Sequence, residues 1–222
     1  MNALIYGQAG SGKTVNTTLV KSNKRNLLLC SDNSHIVLNN FKRTNLDIEI
    51  VKHWLDTDKN GTVQEHFKQQ FERACESKKY DNIIVDNVSD LFDLAILEND
   101  ECGREKDPRR YYQATYQALK RLARIAGQVD CNVIFTAWTD LQEINLPDGT
   151  RTVRTQPKLP NKILDNFLGL MQIVGYIQTA EVKGERKWYY TFQGSPLLYA
   201  KDQAFNRKSC IPESLFTTEV KK

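Results

Sequence analysis

Gly7-Gln8-Ala9-Gly10-Ser11-Gly12-Lys13-Thr14 lies between the apolar run Ala3–Tyr6 and residues 14–22, which read as a helix. The octet satisfies G-x-x-x-x-G-K-[ST], which average residue usage would give in roughly one chain in a hundred of this size. Glycine permits the backbone conformations that turn successive N–H groups toward one phosphate, and a helix N-terminus favours an anion there. Lys13 is expected to reach the β- and γ-phosphates as an exposed charge, and the Thr14 hydroxyl to hold Mg²⁺. Gly7, Gln8, Ala9, Gly10, Ser11, Gly12, Lys13, Thr14 and Val15 are therefore the expected cofactor-binding residues. ATP and Mg²⁺ are the expected cofactors.

Outward from this loop the chain alternates. Leu27–Cys30, residues 47–51, NIIVD (82–86) and NVIFTAW (132–138) read as buried strands; residues 62–78 and 88–99 read as helices. Asp107 as N-cap with Pro108 after it starts a further helix ending near Gly127. Tyr112, Tyr116, Leu119, Ala123 and Ala126 are its expected buried face. Residues 141–160 form a loop or hairpin about Pro147-Asp148-Gly149, and 161–170 a short helix. The period then changes to strands over 171–180, 186–192 and PLLYA (196–200). This order predicts an α/β P-loop fold, a mainly parallel sheet with antiparallel C-terminal strands, in one domain over 1–222.

Composition sets limits. The 222 residues are 40% hydrophobic and 26% charged, ordinary for a globular chain. No apolar run approaches a membrane span, and the N-terminus has neither a basic region nor a cleavage site, so a cytoplasmic protein is expected. Five cysteines without a C-x-x-C pair read as reduced thiols, and His35, His53 and His66 lack zinc-ligand spacing. The net charge of +4 is uneven: residues 101–126 carry seven basic and three acidic side chains, and 148–162 four and one. Two basic segments on a slightly acidic body are a footprint for a polyanion or two solvated surfaces.

A second nucleotide-site element should be an acid ending a buried strand. Asp86 fits, 72 residues beyond Thr14, as the metal-binding and catalytic acid. NIIVDNVSDL resembles the metal-binding strand of the RecA family of recombination ATPases. That resemblance implies a RecA-like core and a catalytic acid at the end of the next strand, where this chain has Asp32 in CSDNS instead of the usual Glu. Asp32 is thus either the water-orienting acid, on a shorter arm that implies slow hydrolysis, or an Asx-turn residue. NVIFTAWTD resembles the γ-phosphate-sensing strand, with Thr136 or Thr139 as sensor. YAKDQAFNRKSCIP resembles the A-K-D-R ending of phage nucleotide-binding proteins, core-only RecA-like ATPases of single-strand annealing and recombination. Gln203 stands where Arg is usual, so Arg207 or Arg186 would substitute. The resemblance further implies that Lys201 reaches the γ-phosphate held by a neighbouring copy.

By the same resemblance, residues 98–110 and 141–160 fall where the family binds DNA. Arg104, Arg109, Arg110, Arg151, Arg154 and Lys158 are the candidate contacts, and Tyr111 a stacking platform. Single-stranded DNA is the expected partner, with a single-stranded-DNA-binding protein a second candidate. With a first strand at residue 2, assembly into homo-oligomers would fall to the core itself, promoted by ATP or DNA. For a phage-encoded chain the location is the host cytoplasm. Two other classes take the same loop: a nucleotide-gated adaptor or helicase loader with little hydrolysis, and a small-molecule kinase using Arg104, Arg109 and Arg110 as lid arginines.

Overall fold

The computed structural model describes residues 1–41, 43–51, 62–102 and 106–217, the Cys102 side chain excepted. Arg104 lies outside the described residues. Among the described residues six strands of a ten-stranded sheet run parallel: β1 (Asn2–Gly7), β2 (Arg25–Cys30), β3 (Leu46–Ile50), β4 (Tyr80–Asp86), β5 (Asn132–Asn145) and β7 (Ile173–Val182), with β3 at one edge. Their order is β7-β1-β5-β4-β2-β3. The antiparallel additions are β6 (Arg151–Pro157) on β5, β8 (Glu185–Thr191) and β9 (Lys201–Asp202) on β7, and β10 (Ser209–Cys210) on β8.

Ala3–Tyr6 of β1, Leu27–Cys30 of β2, Ile83–Val85 of β4 and Val133–Phe135 of β5 are apolar and buried because both faces of the sheet are covered there, whereas β3 exposes Ile48 and Ile50. Leu4 and Tyr6 of β1 point into one core with α2 (Val63–Glu76), α3 (Val88–Cys102), α4 (Pro108–Ala126) and α5 (Asn161–Leu170). Ala3 and Ile5, one residue out of phase, point into the other with Val20, Leu38 and Leu215. Helix α2 starts on a capping box, Thr62 with Glu65, and α4 on the expected Asp107 cap with Pro108 inside it.

Three expectations are corrected. The helix after the phosphate loop, α1, spans only Lys13–Thr17, not 14–22. Thr17 and Thr18 donate their hydroxyls back to carbonyls of Lys13 and Val15, and such bonding competes with continuation of a helix. PLLYA is a turn: Ser195 and Leu198 exchange backbone hydrogen bonds around Pro196, a single bridge joins Leu198 to Thr155, and a strand resumes at Lys201. In α4 it is Thr115, not Tyr112, that is buried; Tyr112 is exposed at the edge of a ring cluster with Phe92 and Tyr116.

Residues 141–160 are a hairpin, as one of the two expectations had it, and it is longer than NVIFTAW implied. Strand β5 continues to Asn145 and turns about Gly149, at φ +83°, into β6. The resulting ribbon springs from the strand end that carries the phosphate loop, since Gly7 pairs with Trp138.

Candidate nucleotide site

The loop-bearing strand β1 and the acid-bearing strand β4 are not neighbours; β5 runs between them. Their C-terminal ends open a crevice where an α/β sheet takes its ligands. A cavity of about 320 Å³ lies there, with Gly12, Lys13, Thr14, Asp32, Asp86 and Trp138 in its walls. Gly10 and Gly12 stand at φ +74° and +88°, the left-handed region that a phosphate-cradling loop uses. A Cβ on Gly7 would come within 2.4 Å of Ile177 Cγ2, so packing as well as conformation demands that glycine.

Asp86 is 2% exposed and accepts three hydroxyl hydrogen bonds. Thr14 donates to Oδ2 at 2.6 Å, Ser34 to Oδ2 at 2.9 Å, and Thr136 to Oδ1. The Asp86–Asn87 peptide is cis. Asn87 donates from Nδ2 to Asp32 Oδ2 at 3.2 Å, while Asp32 Oδ1 accepts from the Ser34 N–H at 2.7 Å. Asp32 caps the 3₁₀ turn Asn33–Asn40, as the Asx-turn expectation had it, and it also lines the cavity. Thr136 lies beneath the carboxylate, outside the cavity wall, its hydroxyl committed to Asp86. Thr139 leaves its hydroxyl buried without a partner.

Lys13 is a correction. It is 7% exposed, and its Nζ donates to the carbonyls of Gly7 and Gln8 at 2.9 Å each. Burial lowers its pKa, and Asp86 and Asp32 only partly oppose this. The exposed charge expected from the sequence is folded against its own loop.

These residues fit a magnesium nucleotide. The left-handed glycines and the lysine in the cavity wall form an anion cradle, and Thr14 beside Asp86 supplies the hard oxygen donors that Mg²⁺ takes. Thr14 and Asp86 would hold the metal, which when bound neutralises charge on the β- and γ-phosphates. The lysine and the loop N–H groups orient the phosphates, and Asp32 is the carboxylate facing the same space.

The remaining candidates lie apart from this cavity. Helix α4 closes on Gly127 against Asn2, at the N-terminal end of β1, so Arg109 and Arg110 lie toward the loop end of the sheet; Arg110 faces Asp107 at 3.8 Å. On the ribbon, Arg151 and Arg154 are three residues apart and therefore on opposite faces. Arg151 is exposed near the tip with Leu141, 66% exposed, and Val153 on its face. Arg154 turns to Tyr199 and shares a cleft of about 210 Å³ with Lys201. Lys158 stands 4.9 Å from the Trp138 ring centroid and pairs with Asp93 at 3.0 Å. Tyr111, the expected stacking platform, donates its hydroxyl to the Ala95 carbonyl.

Lys201 donates to Gln203 Oε1 at 3.1 Å, and burial lowers its pKa. Arg207 cannot replace the missing Arg. It pairs with buried Asp202 at 2.7 Å and ties the carbonyls of Ser214, Leu215 and Thr217. Arg186 lies against the Trp188 ring. Sequence reasoning missed Ser34, Asn87 and Trp188. The spacing Asp32-x-Ser34 after a buried strand carries a cap signal that could have found the first; Trp188 reads only as a β-former.

Phosphate loop, strand-end acid and the interposed strand together define a P-loop nucleotide-binding fold of the RecA-like type. Residues 1–204 match the family model described as AAA domain, and the chain belongs to that family. No curated protein matches the sequence. Among solved structures, it is similar to a KaiC-like protein of the hyperthermophilic archaeon Pyrococcus horikoshii OT3. The two are 13% identical over 86% of this chain and 76% of that one, with a TM-score of 0.47. No helix among the described residues is long and apolar enough to cross a membrane.

Proposed function

We propose that this chain is an ATP-hydrolysing protein that acts on single-stranded DNA in phage recombination or annealing. The observation that supports it most is continuity: β5 carries Thr136 against Asp86, Trp138 in the cavity wall and then the Arg151-bearing ribbon. Charge and ribbon position support DNA as the partner, because a basic strand beside exposed apolar side chains suits a flexible polyanion with stacking bases. Lys201, outside its own cavity, serves a neighbouring copy's nucleotide under this reading, and Arg154 in the same cleft joins it there.

The ribbon is tested by single-stranded-DNA binding against salt. Arg151→Ala should flatten the log–log slope by about 0.7, the share of a single neutralised phosphate, equally for all sequences. An unchanged slope would leave Arg151 a solvated tip. A second reading, a nucleotide-gated adaptor with little hydrolysis, draws on one observation: both Asp32 oxygens are already engaged, by Ser34 and Asn87.

A further inference from the structure

Trp188 of β8 does not line the cavity; it touches the phosphate loop from behind. Its indole Nε1–H donates to the Ser11 carbonyl at 3.2 Å. A Cβ placed on Gly12 would lie 3.0 Å from Nε1 and 3.5 Å from Cδ1, so ring and loop are in direct contact. The Arg186 guanidinium lies 5.5 Å from the ring centroid, and Val15 packs in the same cluster as the indole. The hairpin strand β7 adds a second grip through Ile177 against Gly7.

In a trans peptide the carbonyl and the following N–H point in opposite directions. A donor holding the Ser11 carbonyl from behind therefore aims the Gly12 N–H forward, into the cavity that Gly12 lines. We propose that Trp188 is a positioning residue for the nucleotide, fixing the Ser11–Gly12 peptide so that its N–H faces the bound phosphates. The inference rests on the nucleotide-site reading above and adds a residue outside the motif. It also makes the antiparallel hairpin, remote in sequence, part of the phosphate cradle. A loop N–H that meets the phosphate before and during reaction contributes uniform binding, so its loss raises Kd and leaves turnover at saturation alone.

The test is calorimetric ATP affinity and saturated turnover for Trp188→Phe, which keeps a ring beside Gly12 but has no N–H. One hydrogen bond predicts a Kd about 3- to 10-fold weaker, kcat within about 2-fold of wild type, and an unaltered Tm. Amide exchange over residues 8–14 should quicken while the rest of the sheet is unchanged. Trp188→Leu makes the same deletion with an aliphatic side chain should Phe not be accommodated. Trp188→His, whose ring can still donate, should recover part of the affinity. Wild-type affinity in both Phe and Leu variants, or a fall in kcat with Kd unchanged, overturns the proposal. Lys13→Ala is the control: if it binds ATP like wild type, the nucleotide-site reading itself fails. If it loses ATP while the Trp188 variants do not, only the role of Trp188 fails.

Discussion

At the scale of residues, Lys13 carries two roles that the motif alone does not separate. Its charge is what a triphosphate needs; in the loop it donates to two carbonyls, and its burial lowers its pKa. Lys13→Ala should weaken ATP binding by about 10- to 100-fold, the worth of a charge-assisted hydrogen bond, read by calorimetry. Stability should show the opposite face of the same charge. A lysine whose folded pKa lies below its ordinary 10.5 leaves the unfolded chain holding more protons between the two values. Wild type should therefore gain stability relative to Lys13→Met as pH rises through the lowered pKa toward 10.5, read as the difference in Tm. Parallel Tm curves would show that burial does not perturb the ammonium.

At the scale of elements, what was legible followed from local pattern. The buried strands at Ala3–Tyr6, 82–86 and 132–138, the Asp107–Pro108 helix start and the octet are written in short stretches, and the structure has them at those places. What was not legible depends on partners distant in sequence. Lys13 is buried by carbonyls whose orientation no motif states. Tyr111 is taken by a carbonyl on α3. PLLYA carries strand-forming residues, but the exchange between Ser195 and Leu198 closes it into a turn. Arg207 is the clearest case, a cation in a family-like ending that proves to be a clamp on the C-terminal segment. Its side chain is 10% exposed and Asp202 is fully buried beneath it. Arg207→Ala should lose about 3–5 kcal/mol in urea unfolding, the cost of leaving a buried carboxylate unpaired. A loss under about 1 kcal/mol would mean that water reaches Asp202.

At the scale of the whole molecule, the crevice at the strand ends, the ribbon and the Arg154–Lys201 cleft are separate surfaces of one sheet, which suits an ATP site shared between copies. If Lys201 serves a neighbour, Lys201→Ala and Lys13→Ala, each inactive alone, should recover part of the turnover when mixed, because a mixed junction pairs an intact loop with an intact cation. Activity no greater than the sum of the two, where mixed oligomers are shown to form, would remove Lys201 from the site. The most direct measurement is steady-state ATP hydrolysis with Mg²⁺, with and without single-stranded DNA, for wild type and Lys13→Ala. Slow turnover that rises on adding DNA, and is absent in Lys13→Ala under both conditions, is the predicted result. Turnover indifferent to DNA would contradict the DNA role, and turnover surviving in Lys13→Ala would contradict the site itself.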